Sequence, residues 1–302
     1  MKTGSEFHVG IVGLGSMGMG AALSCVRAGL STWGADLNSN ACATLKEAGA
    51  CGGSDNAATF AEKLDALLVL VVNATQVKQV LFGEKGVAQH LKPGTAVMVS
   101  STIASADAQE IATALAGFGL EMLDAPVSDG AVKAANGEMT VMASGSDIAF
   151  ERLAPVLEAV AGKVYRIGSE PGLGSTVKII HQLLAGVHIA AGAEAMALAA
   201  RAGIPLDVMY DVVTNAAGNS WMFENRMRHV VDGDYTPHSA VDIFVKDLGL
   251  VADTAKALHF PLPLASTALN MFTSASNAGY GKEDDSAVIK IFSGITLPGA
   301  KS

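Results

Sequence analysis

The sequence predicts an α/β protein: a doubly wound parallel sheet, then an all-α C-terminal domain joined to it by one long helix. Three observations carry this reading. Runs rich in Val, Leu, Ile and Met alternate with helical stretches from His8 to Ile167, the pattern of a sheet buried on both faces with crossover helices. Near the N-terminus a strand, a glycine-rich turn and a helix follow directly upon one another. From about Gly172 onward, strand-like runs vanish and helical periodicity takes over.

Composition narrows the class. A chain of 302 residues, 50% hydrophobic and 16% charged, can build one large core or two medium ones. The net charge of −9 excludes nonspecific nucleic-acid binding, which needs a basic face. Cys25, Cys42 and Cys51 form no CxxC and no Cys/His cluster, so a reducing compartment is expected, with neither structural disulfide nor metal site. Lys2 precedes no apolar segment of secretory length, and Leu64 to Val72 is far shorter than the ~20 residues of a membrane span. The apolar run after Lys178 is interrupted by His181, Gln182, His188 and Glu194, which reads as a buried core helix. The expectation is a cytoplasmic protein without nucleic-acid or membrane partners.

Element by element, His8 to Val12 is a short apolar strand, and Met19 to Ala28 reads as a helix. Between them stand Gly13-Leu14-Gly15-Ser16-Met17-Gly18, a G-x-G-x-x-G turn in the context that gives the motif meaning. The first glycine makes the turn, the second admits a pyrophosphate close to the backbone, and the third lets helix and strand approach. The helix amides then face the phosphates. A second strand, Thr32 to Ala35, ends at Asp36. A carboxylate there accepts from both ribose hydroxyls of an adenosine and repels a 2′-phosphate, which favours NAD over NADP.

Further strands are expected at Ala66 to Val72, Ala96 to Ser100, Glu121 to Ala125, Met139 to Ser144 and Val164 to Ile167. Ligands of such sheets lie beyond the carboxyl ends of the strands, which singles out Asn73, Ser101-Thr102 and the stretch Pro126 to Gly130. After Gly172, helices are expected at Leu206 to Ala216, Ser220 to Val231, Ala240 to Leu258, Leu264 to Ala278 and Ser286 to Phe292. Residues 1–172 are thus expected to form a dinucleotide-binding domain, and residues 173–302 an all-helical domain.

The long helix opens at Gly172-Leu173-Gly174-Ser175, with Ser175 the candidate N-cap and Lys178 in the first turn. A cation near the positive end of a helix dipole is disfavoured, so Lys178 is either a solvated surface lysine or a group placed there for chemistry. His181 and Gln182 follow at i+3 and i+4 and share its face. Ser128, Asp129 and Gly130 can offer a hydroxyl and amides to a small carboxylate, although Pro and Gly equally suit a plain turn. Asn219, before Ser220-Trp221, sits in a polar turn suited to ligand contact. Asp242, Lys246 and Asp247 on their own read as a surface ion pair.

Four ordered blocks carry a resemblance that spans nearly the whole chain. They are Gly13-x-Gly15-x-Met17-Gly18, Asp124-Ala125-Pro126-Val127-Ser128, Gly172-x-Gly174-x-x-x-Lys178 and Phe244-x-Lys246-Asp247. Together they resemble the β-hydroxyacid (3-hydroxyisobutyrate) dehydrogenases. The resemblance implies a Rossmann domain with NAD, an all-α domain, and assembly as a homodimer or homotetramer. It also implies Lys178 as general acid/base, Ser128 and Gly130 at the substrate carboxylate, Thr102 at the cofactor and Lys246 near the nicotinamide end. Two departures stand out: Asp129 where the family usually has Gly, and Gln182 where it usually has Asn. The runs Lys178 to Leu184 and Asn219 to Asn225 look like the branch that oxidises the C2 hydroxyl of L-threonate. The alternatives are oxidation of 3-hydroxyisobutyrate, reduction of tartronate semialdehyde (2-hydroxy-3-oxopropionate), or a dinucleotide-binding protein without catalysis.

Overall fold

The computed structural model describes residues 6–299; the readings of Lys2 and of the last residues of the chain lie outside them. By internal contacts the chain divides after Lys178 into two compact units.

The first unit is built on a sheet of nine strands among the described residues: β1 His8–Val12, β2 Ser31–Ala35, β3 Gly52–Ser54, β4 Ala66–Val69, β5 Ala96–Val99, β6 Glu121–Asp124, β7 Val127–Ser128, β8 Met139–Gly145 and β9 Ala161–Gly168. Their order is β3-β2-β1-β4-β5-β6-β8-β7, with β9 on β8. From β3 to β6 all pairings are parallel. Helices α1 Ser16–Arg27, α2 Ser39–Glu47, α3 Ala74–Phe82, α4 Ser105–Ala116, α5 Gly130–Asn136 and α6 Asp147–Val160 connect the strands.

Alternate residues of one strand serve opposite cores. Val9, Ile11, Leu68, Met98 and Leu123 pack with Ala21, Ala22, Leu153 and Val156 of α1 and α6. Leu67, Val69, Val97, Val99 and Met122 pack with Val77, Leu81, Ile111 and Leu115 of α3 and α4. A strand apolar at every position is therefore consistent with a two-sided sheet.

The sheet is not wholly parallel, which corrects the expectation. β8 runs antiparallel to β6 and β7. Past β6 the chain runs on through Ala125-Pro126 into β7 in the same direction and reverses only through the seven-residue helix α5, a connection too short for a crossover, so β8 returns antiparallel to both. β9 is an edge strand with an exposed or half-exposed pattern throughout, so the run Val164 to Ile167 is not buried on both faces. The short strands β3 (Gly-Gly-Ser) and β7 carry no apolar periodicity and were not legible.

Helix α7, Leu173–Arg201, spans 29 residues. By length and hydropathy it is apolar enough to cross a membrane, and half of its most apolar window is buried. It begins two residues before the expected Ser175. The Gly172 carbonyl already accepts from the Thr176 amide (3.0 Å), and the capping group comes from β6. Asp124 Oδ2 accepts the Gly172 and Ser175 amides, both at 2.8 Å, and Oδ1 accepts the Ser175 hydroxyl at 2.6 Å. Gly174 donates to Ser144 Oγ (2.9 Å). A Cβ on Gly174 would stand 2.4 Å from the Met142 carbonyl oxygen, so only glycine permits this approach of helix to sheet. Burial pushes the Asp124 carboxyl up, opposed by its hydrogen bonds from Ser175, Gly172 and Ser144.

The second unit contains α8 Leu206–Thr214, α9 Trp221–Asp232, α10 Val241–Ala257 and α11 Pro263–Ala275. Their apolar faces meet around Ile189, Met196, Met227, Phe244, Leu248 and Phe272. Ser220 is the N-cap of α9, accepting from the Phe223 amide at 3.0 Å. Within this unit Arg226 Nε lies 2.8 Å from Oδ1 of the fully buried Asp285. Burial, only partly opposed by Arg226 and reinforced by Asp284, lifts the Asp285 carboxyl to about 7. In the unfolded chain it titrates near 4. The folded state therefore holds this proton more tightly, and the stability it contributes is complete below about pH 4 and lost as pH rises through about 7. Denaturant titrations across that range should show unfolding free energy falling with pH, and D285N should flatten the slope.

Candidate active site

The carboxyl ends of the parallel strands bring the glycine turn, Asp36, Asn73, Thr102 and the 126–130 loop to one edge of the first unit. The turn itself is built by steric exclusion. Gly13 has φ 90, and a Cβ there would stand 2.3 Å from the Leu70 carbonyl oxygen; a Cβ on Gly18 would stand 1.7 Å from that of Gly13. Gly15, in contrast, would project a Cβ into open space, so its backbone is the approachable one. α1 starts at Ser16 with no side-chain cap and no acidic residue in its first turn. Its N-terminal amides and dipole suit an anion.

Asp36 is tied into this turn. Its Oδ2 accepts the Leu14 amide at 2.6 Å and its Oδ1 the Asn38 amide at 2.8 Å. A carboxylate oxygen accepts more than one hydrogen bond, so these contacts fix the group's direction and leave it capacity for a ribose. A cleft of about 260 Å³ adjoins it, lined by Ser39, Cys42, Lys46 and Ser54 among others. The larger cleft, about 410 Å³, is lined by Asp65, Lys92, Thr95 and Arg152. It lies at the amino ends of β4 and β5, away from every residue named as functional. The first unit thus fits a dinucleotide: an open glycine, an uncapped helix start and an oriented carboxylate.

At the neighbouring strand ends, Asn73 caps α3 by accepting the Gln76 amide at 2.9 Å. Ser101 Oγ accepts from the Val71 amide at 3.0 Å, joining the ends of β4 and β5, and Thr102 follows it half-buried. Ser128 pairs with Thr140 in the β7–β8 ladder. Asp129 turns its carboxylate back to Thr140, accepting from the amide (3.1 Å) and the hydroxyl. Lys178 is the sixth residue of α7 and is buried, 6% exposed. It stands in the second turn, not the first as expected, because the helix starts early.

In the second unit Gln182, one of the two departures, and its neighbour His181 gain a physical context. Gln182 is buried and donates from Nε2 to Asp247 Oδ2 at 2.6 Å, while its Oε1 lies 2.9 Å from His181 Nδ1. Lys246 Nζ lies 2.8 Å from Asp247 Oδ1. Asp247 is 2% exposed, so Lys246-Asp247 is not the surface ion pair that helix spacing suggested. Asp247 is the residue the sequence reading missed. The one available signal was its place beside Lys246 in the Phe244-x-Lys246-Asp247 block, since burial on α10 depends on packing. Asn219 Nδ2 donates to Glu224 Oε2 at 3.2 Å.

Two known families match consecutive parts of the chain. The NAD-binding domain of 6-phosphogluconate dehydrogenase matches residues 8–168, and the NAD-binding domain of NADP-dependent 3-hydroxyisobutyrate dehydrogenase matches residues 172–292. The chain is 99% identical to L-threonate dehydrogenase of Escherichia coli O6:H1 over 302 residues, all of both chains. It is 54% identical to L-threonate dehydrogenase of Cupriavidus necator, covering 97% of this chain and 98% of that one. A crystal structure from Salmonella typhimurium described as 3-hydroxyisobutyrate dehydrogenase is 81% identical, with a TM-score of 0.92, over 95% of this chain and 100% of that one.

The glycine turn separates two effects of one added methyl. G18A forces backbone apart and should cost about 1–3 kcal/mol in unfolding free energy, together with cofactor affinity. G15A meets nothing within 4 Å, so its thermal unfolding should match the parent while dinucleotide affinity falls. Denaturation and NADH fluorescence titration of both variants would test this.

Proposed function

The chain belongs to the 3-hydroxyisobutyrate dehydrogenase family, and on that premise we propose that it oxidises L-threonate at C2 with NAD, yielding 2-oxo-tetronate. The 99% identity to an L-threonate dehydrogenase over the full length carries this reading. NAD(P), when bound, supplies the hydride acceptor. The chain's own residues do the rest. Lys178 takes the C2 hydroxyl proton in oxidation and returns one in reduction. Ser128 Oγ and the Gly130 amide hold the substrate carboxylate. Gln182 and His181 address the remaining hydroxyls, and Asp247 holds the Gln182 amide in one orientation, leaving its second Nε2–H available. Glycine turn, Asp36, Asn73, Thr102 and Lys246 serve the cofactor.

The Asp36 carboxylate supports NAD over NADP, since a 2′-phosphate would meet like charge. Burial of Lys178 supports its role as a base, because desolvation disfavours an ammonium. The 81%-identical Salmonella structure supplies the competing substrate, 3-hydroxyisobutyrate. We place the protein in the cytoplasm and assign the helical domain, residues 173–302, to substrate binding and oligomerisation. Exposed Ile180, Leu184 and Leu198 on α7, 57%, 53% and 69% accessible, support assembly as a homodimer or homotetramer. Light scattering at micromolar concentration should give two or four chain masses; a single chain mass would refute the assembly.

K178A should lower kcat by about 10²–10⁴-fold, the usual contribution of a proton-transfer group, while NAD binding stays intact. Near-parental turnover would remove Lys178 from the mechanism. Substrate choice is decided by following NADH formation with L-threonate, 3-hydroxyisobutyrate and glycerate, each with NAD and with NADP. Inert L-threonate beside active 3-hydroxyisobutyrate would replace the substrate assignment, and equal use of NADP would replace the cofactor assignment.

A further inference from the structure

We propose that Asp129 is a positioning residue for substrate binding, acting through the backbone of the 128–130 loop and not by touching the substrate. The proposal rests on the reading that Ser128 and Gly130 hold the substrate carboxylate. Asp129 has φ 92 and ψ 1, and only one other non-glycine residue, His259, has positive φ among the described residues. The left-handed region is open to glycine and disfavoured for an L side chain, with Asp and Asn among the more tolerant. Gly130 follows with φ 79. Two successive left-handed residues therefore turn the chain out of β7 and into α5.

The side chain of Asp129 supplies what its backbone lacks. Oδ2 accepts the Thr140 amide at 3.1 Å and the Thr140 hydroxyl, and Lys133 Nζ lies 3.6 Å away, one turn along α5. Thr140 is also the ladder partner of Ser128. The contacts thus close a small ring: Ser128 across the ladder to Thr140, and Thr140 back through the carboxylate to Asp129. That ring holds the backbone on both sides of Ser128. It also places donors and a lysine on the aspartate charge, so a substrate carboxylate at Ser128 need not face a bare anion. Glycine at this position would adopt the same turn without an anchor; any other side chain needs the anchor. Asp129 is therefore tolerated because Thr140 and Lys133 are present.

This predicts an unusual order among variants, read from steady-state kinetics with L-threonate and NAD. D129A keeps a Cβ at positive φ and loses the anchor. It should raise KM for L-threonate about tenfold, with kcat and KM for NAD changed less than about threefold. D129G should recover most of that loss despite being the larger deletion. T140V should raise KM in the parent protein and have no further effect in D129G. Thermal unfolding and NADH binding of each variant keep folding defects apart from substrate positioning, and T140V serves where D129A folds poorly. If D129G is as impaired as D129A, the carboxylate itself is required and the proposal fails. If D129A matches the parent, the proposal also fails. S128A with unchanged KM for L-threonate would instead refute the loop's role in substrate binding, whereas raised KM in S128A beside parental D129A would refute only the positioning by Asp129.

Discussion

The buried carboxylate of Asp124 is the constraint on which the placement of Lys178 depends. A helix start leaves amides without intrahelical acceptors, and at α7 this happens inside the protein, where unmet donors are expensive. Asp124, at the last position of β6, takes two of those amides and the Ser175 hydroxyl. Burial raises its carboxyl above the ordinary range, and the hydrogen bonds from Ser175, Gly172 and Ser144 work against that shift. Gly174 allows the approach, and Ser144 on β8 takes its amide. The register of α7 is thereby set from the sheet, and the register decides where a side chain six residues into the helix can point.

The same logic recurs at the other strand ends: polar side chains there bind neighbouring backbone before they bind anything else. Asp36 secures the glycine turn, Asn73 caps a helix, Ser101 joins two strand ends, and Asp129 clasps β8. These internal contacts are compatible with ligand roles because a carboxylate or hydroxyl oxygen accepts more than one donor. They also give such roles meaning, since a group that is already oriented loses less freedom on binding. In the second unit, Asp247 does this for Gln182 and Lys246. A buried carboxylate between an amide and an ammonium restricts both.

A good deal of this was legible without coordinates, for reasons that are local. The glycine turn could be recognised because strand, turn and helix are contiguous, and each glycine is required by contacts within the same supersecondary unit or its neighbouring strand. Asp36 was legible as the acidic residue that ends the second strand. Asp247 was not, because a charged residue on an amphipathic helix reads as solvated unless the packing partner is known. The meaning of Asp129 was also hidden: its backbone angle and its grip on Thr140 arise only when β7 and β8 pair.

By itself, then, the sequence determined the elements that follow from periodicity and from steric needs at single positions: the alternating strands, the glycine turn, the long apolar helix and the lysine it carries. Tertiary structure decided the rest. It made β8 antiparallel to β6 and β7, because the connection through α5 is too short for a crossover. It started α7 at Leu173 instead of Ser175, because the capping carboxylate is supplied by Asp124, 48 residues before Gly172. It turned Asp247 from a surface charge into the buried holder of Gln182, since solvation is a property of packing and not of residue type.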